Sequence, residues 1–159
     1  MCSQMTDKPI RIRVAAVIRK GDRFLFVKLT MRGSEFWILP GGGLEFRESL
    51  AECLVRELKE EADIDVKPEK IIYIRDLVGK EEQGLEVFFY ATIVGGKVKR
   101  GIDPDPSLNH TLDAVSWMTL VELDNVKFFP VEIKPLLHKI IESNDIPECC
   151  YGGKHFYEL

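Results

Sequence analysis

The chain has 159 residues, of which 45% are hydrophobic and 30% charged, a composition typical of a globular protein that can bury one core. Its formal net charge is −4 without a dense lysine and arginine stripe, so an extended nucleic-acid interface is not expected. No run approaches the roughly 20 apolar residues of a membrane span, and residues 1–10 lack the apolar core of a signal peptide. We therefore expect one domain over residues 1–159, in the cytoplasm and without a membrane partner.

The amino-terminal part of the chain predicts β-structure. Ile10 to Arg19 is rich in β-branched residues, and Phe24 to Leu29 resumes an apolar run after a turn, which predicts a hairpin. The short apolar segment Phe36 to Leu39 predicts a further strand, and Pro40 marks its end. The three glycines that follow, residues 41–43, predict an exposed backbone segment.

The clearest helical periodicity begins after the glycines. From Glu48 to about Ala62, Leu50, Leu54 and Leu58 recur on one stripe, which predicts an α-helix. Further along, three apolar segments predict strands, and together with the first ones they suggest a sheet of five or six strands. These segments are Ile71 to Val78, Leu85 to Val94 and Ala114 to Met118.

The carboxyl-terminal part predicts a last helix and a tail. Pro130 can occupy the first turn of a helix that runs to about Ser143, since proline is tolerated there. From about residue 144 the chain contains glycines and cysteines without a clear period, which predicts an irregular tail. Between the first two of the three later strands, Gly79 to Gly84 predicts a polar loop.

Three carboxylates share one side of the predicted helix. At helical spacing, Glu57, Glu60 and Glu61 fall within an arc of about 100°. Like charges at this spacing destabilise an isolated helix, and a divalent cation such as Mg²⁺ or Mn²⁺ would remove the conflict. A solvated helix surface, with Arg56 and Lys59 as local counter-ions, explains the same residues when the helix is considered alone.

The glycine turn and the helix together resemble the Nudix box. That pattern is glycine, five residues, glutamate, seven residues, then Arg-Glu-apolar-any-Glu-Glu-any-Gly-apolar. One position departs from it, because Asp63 replaces the last glycine, which would end the helix in a left-handed conformation. Asp tolerates that conformation at a cost of about 1 kcal/mol. The matching residues are Gly42, Glu48, Arg56, Glu57, Leu58, Glu60, Glu61 and Ile64.

The resemblance implies a fold and a set of ligands. The implied fold is an α/β/α sandwich with a mixed β-sheet between helices. Glu57, Glu60 and Glu61 would hold Mg²⁺ or Mn²⁺ together with Gly41, and Arg56 would orient Glu57 or a neighbouring carboxylate. The candidate substrate-contacting residues are Gly42, Trp37 and Glu45, and Glu45 is also a candidate for the metal shell.

The implied reaction is hydrolysis of a phosphoanhydride bond. A carboxylate must accept the proton of the attacking water, and Glu57 competes for this role with Glu81, Glu82 and Glu86, of which Glu81 and Glu82 belong to the polar loop. The expected substrate is a small nucleoside diphosphate derivative such as ADP-ribose or a nucleotide sugar. Two alternatives are a nucleoside triphosphate pyrophosphatase and a non-catalytic nucleotide-binding regulator. The resemblance is also compatible with a homodimer.

Overall fold

The computed structural model describes residues 9–79, 83–102 and 110–156. These residues form ten β-strands, three α-helices and one 3₁₀ turn at Val131–Ile133. The helices are α1 (Leu50–Ala62), α2 (Leu120–Leu123) and α3 (Lys134–Ser143). The strands are β1 (Ile10–Val17), β2 (Arg19–Lys20), β3 (Arg23–Met31), β4 (Ser34–Ile38), β5 (Gly41–Gly43), β6 (Ile64–Val78), β7 (Gln83–Gly96), β8 (His110–Thr119), β9 (Phe128–Phe129) and β10 (Cys150–Phe156).

The strands form two sheets of five. The first sheet has the order β10-β6-β7-β1-β5 and is mixed, since β1 runs parallel to β7 whereas β6 runs antiparallel to it. In the second sheet, β3 pairs antiparallel with β2, β4 and β8, and β9 runs parallel to β4. The predicted single sheet of five or six strands was wrong, because β2, β5 and β9 span only two or three residues and leave no periodic signal.

The first sheet lies between α1 and α3. Because successive side chains of a strand point to opposite faces, Val14 and Ala16 of β1 enter one buried cluster, whereas Ala15 and Val17 enter another. The α1-side cluster contains Leu54, Leu58 and Ala62, and the α3-side cluster contains Ile133, Leu137 and Ile140. This arrangement confirms the predicted α/β sandwich with a mixed sheet between helices.

Helix α1 has a defined cap at each end. Ser49 accepts a hydrogen bond from the Glu52 backbone N–H, and the Glu52 side chain accepts one from the Ser49 N–H, which forms a capping box. The helix ends at Asp63, whose φ of 52° and ψ of 37° are left-handed, as the resemblance implied for this position. Lys99 and Lys59 pair with the Asp63 carboxylate and lower its pKa. Asp63, which stands where the box usually has glycine, is thus paired with two lysines.

A segment that follows β7 covers the carboxyl end of α1. The Lys99 N–H donates to the Ala62 carbonyl (3.1 Å), and the Gly101 N–H donates to the Glu61 carbonyl (2.8 Å). The last carbonyls of a helix have no partner inside the helix, so these bonds supply part of what is missing. The segment therefore holds the end of α1 that carries Glu60 and Glu61.

Gly101→Ala is expected to destabilise the protein, because a Cβ at this position would lie 1.7 Å from the Glu60 carbonyl oxygen. Overpacking of this kind costs about 1–3 kcal/mol, which corresponds to a fall in Tm of roughly 3–10 °C. Thermal unfolding followed by circular dichroism measures the change. Lys99→Ala is the control, since it keeps the backbone donor and removes one exposed ion pair. Equal Tm values for Gly101→Ala and the wild type would contradict the expectation.

Two other predicted elements differ from the structure. The last helix begins at Lys134 rather than at Pro130, since Pro135 lacks an N–H and is accommodated only in the first turn. The tail after residue 144 is not irregular throughout, because β10 pairs in parallel with β6. Two glycines conceal this strand in the sequence, and at Gly152 a Cβ would lie 1.9 Å from the Tyr73 hydroxyl.

The glycine segment is also less exposed than predicted. Gly41 is buried in β5, where a Cβ would lie 2.1 Å from the Val14 carbonyl oxygen. Its φ of 143° favours glycine as well. Within residues 9–79, 83–102 and 110–156, no helix is long and apolar enough to cross a bilayer.

Candidate functional site

The site is built where the glycine strand β5 meets helix α1. Strand β5 pairs antiparallel with β1, so that Gly41 lies opposite Ala15 and Gly42 opposite Val14. The Gly41 N–H donates to Glu61 Oε2 (2.7 Å), and Glu61 is only 4% exposed. A carboxylate from the helix is therefore held directly on the backbone of the glycine strand.

Glu57 lies against the neighbouring glycine. A Cβ at Gly42 would be 2.2 Å from Glu57 Oε1 and 2.4 Å from Oε2, so the carboxylate occupies the space that any other residue's side chain would need. The absence of a Cβ at position 42 is what permits this approach. Helix α1 and strand β5 thus bring Glu57 and Glu61 to adjacent peptide units.

Arg56 connects the remaining acidic side chains. Its Nε and Nη2 donate to the two oxygens of Glu48 (2.8 and 2.9 Å), and Nη2 also donates to the Gly43 carbonyl (3.0 Å). Its Nη1 donates to Glu57 Oε1 (2.9 Å) and to Glu60 Oε2 (3.3 Å). Arg56 thus bonds to Glu57, the residue that it was predicted to orient, and also to Glu48.

Burial and the guanidinium act on these carboxylates in opposite directions. Burial raises the pKa of Glu57, and the hydrogen bond and positive charge of Arg56 oppose that rise. The same guanidinium lowers the pKa of Glu48, which is the more strongly bonded of the two. Burial also raises the pKa of the Cys53 thiol to about 12, so this cysteine is a neutral packed residue beside the site.

The structure places the predicted residues unevenly. Glu57 and Glu60 are joined through Arg56, whereas Glu61 is turned toward the Gly41 N–H. Glu45 lies at the rim, with its carboxylate 3.9 Å from Arg56 Nη1 and its side chain 70% exposed. In the described ranges, no three acidic, histidine or cysteine side chains already converge as ligands of one ion.

Two further predicted residues are not part of this group. Trp37 is half-buried and packs against the α3-side cluster, and its backbone N–H donates to the Lys127 carbonyl. Glu82, together with Glu81, lies outside the described residues. Glu86 is described, and it is buried between Arg13 (3.2 Å) and Arg75 (2.6 Å).

The donor set suits a hard divalent cation. The side chains of Glu57, Glu60 and Glu61 and the Gly41 carbonyl offer only oxygen atoms, which are the ligands of Mg²⁺ and Mn²⁺. Glycine at position 42 leaves the space that the Glu57 carboxylate occupies beside the strand. The chemistry of these donors is therefore that of a site for a hard divalent cation.

Arg13, which pairs with Glu86 and bonds to the glycine strand, is a functional candidate that the sequence did not reveal. Arg13 lies in a strand segment where arginine alternates with isoleucine, and such a pattern predicts that its arginines are exposed. Its pairing with Glu86 joins residues 73 positions apart and depends on the register of two strands that are not neighbours in the chain. The capping box of α1, by contrast, could have been found from the spacing of Ser49 and Glu52.

The chain was compared with protein families, curated proteins and solved structures. A family model described as NUDIX domain matches residues 9–140. Among curated proteins, the chain is 28% identical to Phosphatase NudJ of Escherichia coli K12 over 112 residues, which cover 70% of each protein.

Solved structures show the same fold. A NUDIX hydrolase from Nitrosomonas europaea matches with a TM-score of 0.72 and 20% identity, covering 94% of this chain and 81% of that chain. An ADP-ribose pyrophosphatase from Streptococcus suis matches with a TM-score of 0.64 and 19% identity, covering 92% of this chain and all (100%) of that chain. At these identities the structural matches bear on the fold alone.

Proposed function

Since the chain belongs to the Nudix family and is a Nudix hydrolase, we propose that it cleaves, with Mg²⁺ or Mn²⁺, the phosphoanhydride bond of a nucleoside diphosphate derivative. ADP-ribose and nucleotide sugars are the substrates that we favour. The observation that carries the proposal is the meeting of α1 with β5, where Glu57 and Glu61 lie against the backbone of Gly41 and Gly42.

In the proposed enzyme, residues of α1 and β5 bind the metal. Glu57, Glu60 and Glu61 would hold it with their carboxylates, and Gly41 would contribute its carbonyl oxygen. A bound divalent cation supplies charge neutralisation at the phosphates and a lower pKa of the attacking water. Arg56 keeps Glu57 in place through its hydrogen bond and, by its simultaneous bond to Glu60, holds these two carboxylates at a fixed spacing.

Glu57 is the proton acceptor that the contacts of the described residues favour. Glu86, the other described candidate, has its two oxygens bonded to Arg13 and Arg75, so that accepting a proton would break buried ion pairs. Among the described residues, Glu57 bonds to one arginine, Arg56, through one of its oxygens, so its other oxygen is left to accept a proton without the loss of a buried ion pair. Glu82 remains a candidate from the sequence.

The substrate class is proposed from the names of similar proteins and from the exposed residues of the site. The name of one relative, Phosphatase NudJ, agrees with a reaction at phosphorus. One protein of the same fold is named an ADP-ribose pyrophosphatase, which agrees with the substrate class that we favour. In this proposal, Glu45, which is exposed at the rim, and the backbone of Gly42 would contact the part of the substrate next to the cleaved bond. Trp37 would act only on a more distant part, because it belongs to the α3-side cluster.

The test is product release from a panel of substrates in Mg²⁺ or in EDTA. The panel holds ADP-ribose, nucleotide sugars, diadenosine polyphosphates and nucleoside triphosphates, and products are resolved by ion-exchange chromatography. We expect cleavage of ADP-ribose or a nucleotide sugar that EDTA abolishes. Glu61→Gln, prepared in the same way, should release no product and so excludes a contaminating phosphatase.

The other outcomes decide between the alternatives. Metal-dependent release of pyrophosphate from nucleoside triphosphates would replace the proposed substrate class with the triphosphate one. Tight binding of a nucleotide by calorimetry, without any product, would indicate a regulator. Activity that EDTA leaves unchanged would contradict the proposed metal dependence.

A further inference from the structure

A row of alternating charges crosses three strands of the first sheet. Arg13 of β1 lies opposite Glu86 of β7, and Glu86 lies opposite Arg75 of β6. The side chains are 17%, 7% and 10% exposed, in that order. Arg75 continues the row to Glu132, whose carboxylate also lies 3.3 Å from His155. The row therefore runs from the edge of the glycine strand to β10.

Arg13 is the member of the row that reaches the site. Its Nη1 donates to Glu86 Oε1 (3.2 Å), while Nη2 donates to the carbonyl oxygens of Leu39 (2.8 Å) and Gly41 (3.2 Å). These two carbonyls flank Pro40, whose nitrogen carries no hydrogen. One guanidinium thus holds the backbone on both sides of the proline.

The backbone of Gly41 is consequently held from two elements. Its N–H is bonded to Glu61 of α1, and its carbonyl accepts from Arg13 of β1. A carbonyl oxygen has two lone pairs, so the bond to Arg13 directs the oxygen without using all of its acceptor capacity. Without Glu86, the guanidinium would bring an unbalanced positive charge to a place where a cation is proposed to bind.

We propose that Arg13 is a positioning residue that directs the Gly41 carbonyl toward the divalent cation, with Glu86 as its anchor. The proposal rests on the proposed function, because it concerns a ligand of the proposed metal. In this role Arg13 would contact neither the reacting atoms nor the ion, since its observed bonds are to Glu86, Leu39 and Gly41. Its effect is transmitted through one peptide unit of β5.

Arg75 provides a matched comparison for Arg13. Both arginines are largely buried, both bond to Glu86, and both lie in the same row, but only Arg13 bonds to the glycine strand. Arg13→Lys and Arg75→Lys each keep the positive charge and remove the planar fork that bonds two partners at once. If the row only stabilises the sheet, the two variants should behave alike.

The experiment measures Mn²⁺ binding and Mg²⁺ activation in the two variants and the wild type. Free Mn²⁺ is followed by electron paramagnetic resonance, half-activating Mg²⁺ by substrate hydrolysis, and folding by Tm. We expect Arg13→Lys to raise the half-saturating Mn²⁺ concentration about tenfold or more, the usual effect of losing a group that orients a ligand. Arg75→Lys should stay within about twofold of the wild type, since it leaves the Gly41 contact intact.

Equal Mn²⁺ affinities in Arg13→Lys and Arg75→Lys, with a wild type that binds Mn²⁺, would overturn this inference and leave the proposed function standing. A wild type that neither binds Mn²⁺ nor requires Mg²⁺ would overturn both. If Arg13→Lys is unfolded at the assay temperature, the double variant Arg13→Gln/Glu86→Gln replaces it, because it removes both charges of the pair together. The same loss of Mn²⁺ affinity is expected there, and a wild-type affinity would overturn the inference.

Discussion

Glu57→Gln is expected to lower kcat by about 10²- to 10⁴-fold, the range that general acid–base catalysis contributes. Glutamine keeps the shape of the side chain and an oxygen that can accept the hydrogen bond from Arg56, but it can neither take up a proton nor offer a charged ligand. Because the fold loses no contact, Tm should change little. Steady-state kinetics at saturating Mg²⁺ and thermal unfolding measure the two quantities.

Glu52→Gln is the matched control for this variant. Glu52 lies on the same helix, is exposed, and serves the capping box through its side chain, a role that glutamine also fills. Its kcat should stay within about twofold of the wild type, as for a surface substitution away from the site. A Glu57→Gln enzyme that is as active as Glu52→Gln would remove Glu57 from both of its proposed roles.

Replacing the three adjacent glycines one at a time with alanine is expected to separate stability from activity. Gly41→Ala should lose about 2–4 kcal/mol of unfolding free energy, because its Cβ would meet the Val14 carbonyl and Ala15 Cα and its φ is unfavourable for alanine. Gly42→Ala should keep most of its stability, since the three atoms nearest to its Cβ would all belong to the end of the Glu57 side chain and not to the backbone. It should nevertheless lose activity, since that carboxylate is displaced.

Gly43→Ala is the control within the series. Its Cβ would lie no closer than 3.5 Å to any neighbour, and that neighbour is the flexible side chain of Arg11. Chemical denaturation and steady-state kinetics of the three variants test the series. If Gly42→Ala retains wild-type kcat, the close approach of Glu57 to the glycine strand does not matter for turnover. If Gly41→Ala is as stable as Gly43→Ala, the tight packing of β5 on β1 is not what requires glycine at position 41.

The parts of the fold that sequence reasoning predicted correctly are those with a long local period. Helix α1 shows its stripe of leucines, and Asp63 shows its left-handed conformation through the position that it occupies in the box. Strands of two or three residues have no period to detect, which is why β2, β5 and β9 were missed or interpreted as a turn. Strand β10 was missed for another reason, since its two glycines resemble loop residues.

The same distinction holds for the site. Arg56, Glu57, Glu60 and Glu61 lie within one helix, so their proximity follows from helical spacing alone. Glu60 bonds to Arg56, whereas Glu61 bonds to the glycine strand. This difference depends on the packing of α1 on the sheet. Contacts of this kind, like those of the arginine row, form between segments far apart in the chain and are determined by tertiary structure.

The segment that covers the end of α1 also limits how the chain can vary in length. Gly96 and Gly101 both approach the turn at the end of the helix so closely that neither has room for a Cβ. A single inserted residue between them would displace the bonded N–H groups by up to about 3.8 Å, one Cα spacing. Most surface loops tolerate insertions, but here an insertion would be transmitted to the acidic end of α1. We therefore regard the spacing from Gly96 to Gly101 as a length constraint that a redesign of this protein must preserve.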